Sequence, residues 1–261
     1  MTAPLSAGNA RVKEARKLSR RSVRTERRLF LADGPKAVEG ALASALVEEI
    51  FATEAAAEQY AQILGSAEVA IVEPRAIEGL SDSVSPAGLV AVCRFFDIPT
   101  ARIADDTPGP RLIAICADVR DPGNAGTVIR CADAAGADAV ILAGDAVDLY
   151  NPKTIRASVG SAFNLPIAIE RDVESAIAAA RASGLQVLAA DMDGEDLFSA
   201  DDLLRRPTAW LFGNEAWGLP QTLRDASDHV VSIPIFGRAE SLNLSTAAAV
   251  CLYATARSQR G

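Results

Sequence analysis

Three short segments of the chain combine polar side chains and glycines in ways that packing alone does not require. The first, DPGNAGTVIRCADAAG over residues 121–136, turns at Pro122 and Gly123 and enters a helix at about Asn124. At about 100° per residue its Ala125, Val128, Ile129 and Ala132 share one side, and Arg130 lies roughly 150° away from them. An arginine so placed is open to a phosphate or a second subunit, or else pairs at the surface with Asp133 three residues on. The second, WLFGNEAWGLP over 210–220, is an apolar strand running into a loop where Gly213 and Gly218 flank Glu215. That pattern suits close backbone approach to a ligand, or a tight turn with Pro220 opening the next helix. Trp217 reads as an interface or lid residue, or as core. The third, VSIPIFGRAESLNLS over 231–245, alternates Ser241, Asn243 and Ser245 with Leu242 and Leu244 ahead of a final helix. A cap explains one of those polar residues but not the alternation. The G-N-x-G run lacks the P-loop lysine and the third glycine of a dinucleotide fingerprint, which makes a nicotinamide-dependent enzyme a remote alternative.

The elements that must position these residues alternate in type. Strand-like runs occur at 29–32, 47–52, 69–72 and 89–93, separated by helical patterns at 36–44, 54–64 and 74–80. A Pro-, Gly- and Asp-rich stretch, IPTARIADDTPGP, then reads as a linker. Beyond it, strands are expected at 112–117, 139–142, 186–190, 208–212 and 230–233, with helices at 125–135, 173–183 and 244–257. This is the pattern of an α/β protein with a largely parallel sheet, in two domains of residues 1–104 and 105–261. The last helix repeats Leu244, Ala247, Ala248, Cys251 and Leu252 on one stripe, suited equally to the core or to an interface.

Composition narrows the partners. The chain has 261 residues, 49% hydrophobic and 23% charged, and a net charge of −8 that by itself argues against a polyanion. The charge is unevenly spread. Residues 11–36 carry ten Lys or Arg against three acids, a balance of +7, and the other 16 basic and 31 acidic residues sum to −15. The reading is an acidic body with a basic N-terminal arm that neutralises phosphates, releasing their counterions. With aromatics at 5%, a stacking platform of the RRM type is not expected. Four scattered cysteines and one histidine make a zinc site improbable and suggest reduced thiols. The longest uncharged stretch, 241–256, is too short to span a bilayer, and no signal-peptide pattern opens the chain, so no membrane span, no metal and a cytoplasmic location are expected.

In their order and spacing, N-x-G-x-x-x-R from Asn124 to Arg130, F-G-N-E from Phe212 to Glu215 and S-L-N-L-S from Ser241 to Ser245 resemble the three motifs of the SpoU (TrmH-like, SPOUT class) RNA ribose 2′-O-methyltransferases. The resemblance covers about residue 111 to the C-terminus. It implies a C-terminal domain with a deep trefoil knot, a homodimer formed through that domain, and S-adenosyl-L-methionine as cofactor. Carried over by position, the cofactor contacts are Leu188, Ala189, Leu211, Gly213, Ile233 and Leu242, and the catalytic set is Arg130, Asn124, Glu215, Ser241 and Asn243. Ala216 stands where family members often have glycine, so the loop after Glu215 is expected to differ. RRLFLADGPKAVEGAL resembles the start of the L30e-like substrate-binding domain attached to several rRNA-modifying members, with Arg16, Lys17, Arg20, Arg21, Arg24, Arg27 and Arg28 as RNA contacts. The expected activity is methylation of a ribose 2′-hydroxyl in RNA, most simply 23S rRNA. The alternatives are a tRNA target or a non-catalytic RNA-binding assembly protein on the same fold.

Overall fold

The computed structural model describes residues 3–104 and 109–261. In chain order the helices and strands are α1 (Ala10–Arg16), α2 (Arg21–Arg27), β1 (Leu29–Asp33), α3 (Pro35–Ala43), β2 (Val47–Ala52), α4 (Glu54–Gln59), α5 (Ala61–Leu64), β3 (Ala70–Ile71), α6 (Pro74–Leu80) and β4 (Leu89–Arg94). They continue with β5 (Leu112–Ala117), α7 (Pro122–Ala135), β6 (Ala139–Ala143), α8 (Pro152–Ala157), β7 (Ile167–Glu170), α9 (Val173–Ala182), β8 (Gln186–Asp196), α10 (Asp201–Leu204), β9 (Thr208–Phe212), α11 (Gln221–Asp225), β10 (His229–Ser232) and α12 (Leu244–Arg260). The chain divides into two compact units, residues 3–96 with Asp148–Asn164, and Asp97–Val147 with Leu165–Gly261. The boundary expected between residues 104 and 105 adjoins residues 105–108, which lie outside the described residues.

The first unit is a sheet of order β1-β4-β2-β3, with β4 antiparallel to both neighbours and β3 parallel to β2. The basic segment is no arm. Asn9 caps α1, and Val12, Ala15 and Leu18 are buried in one cluster with Leu31, Phe51, Ile77 and Val90. Leu5 is tied in as well, through backbone hydrogen bonds to Ile71 and Glu73. The expectation of a basic arm overlooked the spacing of Val12, Ala15 and Leu18, which puts them on one helical stripe. On the other side of the sheet, Phe30, Phe96, Tyr150 and Phe163 form an aromatic cluster, with Phe95 stacked on Tyr150 at 3.5 Å between ring centroids. Tyr150 and Phe163 belong to Asp148–Asn164, a segment that sequence reasoning leaves with the catalytic half. Its α8 starts with the Asn151 cap and Pro152 at the first turn.

The second unit is a six-stranded, wholly parallel sheet of order β10-β8-β9-β5-β6-β7. Buried on both faces, β5, β6 and β9 read as continuous apolar runs, as parallel strands do. β8 runs beyond the expected 186–190. Ala189 lies opposite Val230 and Glu195 opposite Val231, so residues 190–194 stand out of the ladder. Gly194 lets the excursion close again, because a Cβ there would lie 2.4 Å from the Val230 carbonyl carbon. Ala248, Cys251 and Leu252 of α12 are buried in the core of their own chain, whereas Leu244 and Ala247 of the same stripe are half-buried. Between α12 and β9 the Trp210 indole N–H donates to the buried Thr255 hydroxyl at 2.8 Å. Thr255→Val leaves that N–H unpaired, and denaturant unfolding is expected to show a loss of about 1–3 kcal/mol. Burial pushes the Cys93 and Cys116 thiols up to about 12, so both are inert at neutral pH.

Candidate functional site

In an open parallel sheet, ligands bind beyond the carboxyl ends of the strands, where the strand order reverses. Here that place lies between β5 and β9, and the loops leaving those two strands carry the first two motifs. Asp121 caps α7 through the Asn124 N–H at 2.8 Å, and Pro122 takes the first turn. Asn124 is therefore the third residue of the helix, within its first turn, rather than its start. Its side-chain N–H donates to Glu215 Oε1 at 3.1 Å, and its oxygen accepts from Asn243 Nδ2 at 3.1 Å. Glu215 also accepts the backbone N–H groups of Arg120 at 3.2 Å and Asp121 at 3.1 Å. Asn243 in turn caps α12, accepting from the N–H groups of Ser245 and Thr246. One residue from each motif thus meets in a single polar chain, Glu215–Asn124–Asn243.

Burial alone would raise the Glu215 pKa, but the hydrogen bonds to its carboxylate outweigh it and hold the group below the ordinary carboxylate range. These are bonds from its own N–H, the Asn124 amide and the Arg120 and Asp121 N–H groups. The carboxylate network is therefore complete at neutral pH and is lost only as pH falls through that lowered value. Asn124→Ala removes one donor. An NMR titration of the Glu215 carboxyl carbon should then move up toward the ordinary carboxylate range, whereas an unmoved titration would show that Asn124 does not set it.

The motif-two loop is narrow. Gly213 is buried, and a Cβ on it would fall 2.4 Å from the Gly218 carbonyl carbon and 2.7 Å from the Leu219 nitrogen. Gly218 itself has φ +67°, and Asn214 and Gly218 exchange both backbone hydrogen bonds. Sequence reasoning missed Asn214, which is 6% exposed, donates to the Asp118 carbonyl at 2.6 Å and accepts from the Ala216 N–H at 2.8 Å. Its signal was an Asn that mimics a backbone turn between two glycines. The positive φ falls on Gly218, so Ala216 sits without backbone strain. Trp217 is exposed, with the Arg120 guanidinium 5.2 Å from its ring centroid.

The other expected site residues are placed unevenly. Leu188, Ala189 and Leu211 are fully buried in β8 and β9, so only their backbone groups can serve a ligand. Ile233 is half-buried, and Leu242 and Ser241 are exposed on the loop before α12. Ser241 joins none of the hydrogen bonds above. Arg130 is exposed on α7 and also joins none of them. It lies six residues beyond Asn124, about 9 Å along the axis at 1.5 Å per residue. Backbone at the ends of β8 and β9 and the half-buried Ile233 suit the edge and face of an adenine ring. Among the described residues no cluster of His, Cys, Asp or Glu could hold a metal ion, and no helix is long and apolar enough to cross a membrane.

In the first unit Arg16, Arg20, Arg21, Arg27 and Arg28 are exposed. Lys17 and Arg27 both pair with Glu14, at 2.5 and 2.8 Å. Arg24 leaves the expected RNA-contacting set. It is 3% exposed, pairs with Asp148 at 2.6 Å and donates to the Leu18 and Ser19 carbonyls, so its charge is consumed inside the unit.

The family model of the SpoU rRNA Methylase family matches residues 111–253, and that of the MRM3-like substrate binding domain matches residues 9–91. A 23S rRNA guanosine-2′-O-methyltransferase, RlmP, of Bacillus subtilis is 32% identical over 257 residues, covering 95% of this chain and 96% of that one. Among solved structures, the AdoMet complex of the SpoU methyltransferase AviRb from Streptomyces viridochromogenes superposes with a TM-score of 0.83 at 31% identity, covering 95% of this chain and 98% of that one. An AdoMet-bound rRNA methyltransferase from Sinorhizobium meliloti gives 0.80 at 33% identity, covering 95% of both chains.

Proposed function

The chain belongs to the SpoU rRNA methylase family, and from that membership we propose that it methylates a ribose 2′-hydroxyl of 23S rRNA with S-adenosyl-L-methionine as methyl donor. The observation that carries the reading is the convergence of Glu215, Asn124 and Asn243, one from each motif, at the carboxyl ends of β5 and β9. The methyl donor supplies an electrophilic methyl group on a positively charged sulfur. The backbone of Leu211, Gly213 and Ile233 would hold it, with the ends of Leu188 and Ala189 behind and Leu242 in front. The chain's own part in the reaction is positioning. The attacking hydroxyl is neutral and must lose a proton as it attacks, so a donor aimed at the developing alkoxide lowers the barrier. Arg130 takes that role: a guanidinium carries five donors and no acceptor, so it orients the phosphate and stabilises negative charge, while the proton passes to solvent water. Asn124, held by Glu215 and Asn243, and Ser241 shape the pocket around the ribose.

Arg130 points away from the core and joins no bond in its own chain's network, which supports a homodimer in which it serves the partner subunit's pocket. The exposed Ile235, Phe236, Leu242 and Tyr253 supply apolar surface for that contact. The return of the chain from β10 at the sheet edge to α12, packed on α7 and β9, supports the knotted path. An L30e-like first domain, a homodimer through the knotted domain and a cytoplasmic location complete the proposal. The test is transfer of labelled methyl from S-adenosyl-L-methionine to protein-free 23S rRNA and to tRNA. Label in tRNA alone would replace the rRNA target, and no transfer despite cofactor binding would favour the assembly-protein reading.

A further inference from the structure

We propose that an open groove on the first unit receives one nucleobase of the RNA substrate, stacked on the guanidinium of Arg28; this rests on RNA being the substrate. The groove encloses about 700 Å³ and is lined by Arg11, Arg27, Arg28, Arg94 and Phe95 with Glu48, Glu49 and Glu68. That volume suits a nucleotide. Its floor is a prepared stack. Tyr150 supports Phe95 at 3.5 Å and an interplanar angle of 14°, and the Arg28 guanidinium carbon lies 4.6 Å above the centroid of the Phe95 ring. Tyr150 and Arg28 thus both lie against Phe95, and Arg28, which lines the groove, has a planar guanidinium able to stack on a base while carrying charge.

The backbone of Arg28 adds an independent reason. It ends α2 at φ 55° and ψ 36°, a left-handed position that glycine fills without strain. A long side chain kept at such a position marks a site where strain serves function. The walls complete the pocket. Arg11 pairs with Glu49 and Arg94 with Glu48, which fixes both arginines at the rim where phosphates pass. The three carboxylates offer acceptors to the amino groups on a base edge. The scarcity of aromatics that argues against a stacking platform is thus met by an arginine laid over a single phenylalanine.

The experiment uses the full-length protein and protein-free 23S rRNA, with RNA affinity, cofactor affinity and thermal midpoint measured for wild type, Arg28→Gly and Arg28→Lys. Arg28→Gly relieves the backbone, so its midpoint should equal or exceed that of wild type while RNA affinity falls about tenfold, the scale of one lost base stack. Cofactor affinity should not change. Arg28→Lys keeps the charge and loses the plane, and should bind RNA as weakly as Arg28→Gly. Wild-type affinity in either variant overturns the stacking site. Failure of the wild type to bind 23S rRNA at all overturns the RNA reading and the groove together, and is seen before any variant is made.

Discussion

Arg130→Ala is expected to lower methyl transfer by about 10²–10³-fold or more while binding the cofactor as wild type does, because it removes a cation aimed at charge that appears only in the transition state. Arg130 is exposed and bonded to nothing in the site network, so its loss should leave the fold intact. Rate and binding would then separate: single-turnover transfer collapses, and calorimetric titration with S-adenosyl-L-methionine does not. Mixing distinguishes whose pocket Arg130 serves. If it reaches across a symmetric dimer, equal amounts of the Arg130→Ala and Glu215→Ala chains regain about a quarter of wild-type activity, since half the dimers are mixed and each mixed dimer has one intact site. If Arg130 serves its own chain, the mixture stays as inactive as its parts.

Arg24→Ala is expected to cost about 3–5 kcal/mol of stability, the scale of breaking one side of a buried ion pair. Asp148 would keep a largely buried charge without its partner, and the Leu18 and Ser19 carbonyls would lose their donor. Chemical denaturation measures the loss directly. Arg20→Ala and Arg21→Ala, made at exposed positions four and three residues away, should instead leave stability unchanged and flatten the salt dependence of RNA binding. A stable Arg24→Ala protein that binds RNA poorly would return Arg24 to the set of phosphate contacts. Deleting residues 1–28, which treats the segment as a detachable arm, would strip Val12, Ala15 and Leu18 from the core and so cannot isolate the role of its charge.

These two arginines show what was legible in the sequence. Strands β5 and β9 are readable to the residue because a parallel strand buried on both faces is an unbroken apolar run. The three motifs are readable because their polar residues and glycines break that pattern at strand ends. Which of seven basic residues faces inward was not readable, because the partner of Arg24 is Asp148, 124 residues away. The assignment of Asp148–Asn164 to the first unit was hidden for the same reason: no local pattern reveals that Tyr150 and Phe163 pack with Phe30. The long β8 was underestimated because Asp191, Asp193 and Gly194 read as a loop, although the ladder resumes at Glu195 and Asp196. Asn243 was singled out beside Ser241, but only the structure shows that the cap and the link to Asn124 use the same side chain.

The chemistry of the product separates ribose from base methylation. S-adenosyl-L-methionine labelled in its methyl group is incubated with the protein and protein-free 23S rRNA, and the RNA is then hydrolysed in alkali. Alkaline cleavage needs a free 2′-hydroxyl, so a 2′-O-methyl group protects the bond beside it. Ribose 2′-O-methylation leaves the label in an alkali-resistant dinucleotide, the expected result; label recovered only in mononucleotides, as base methylation would give, contradicts it.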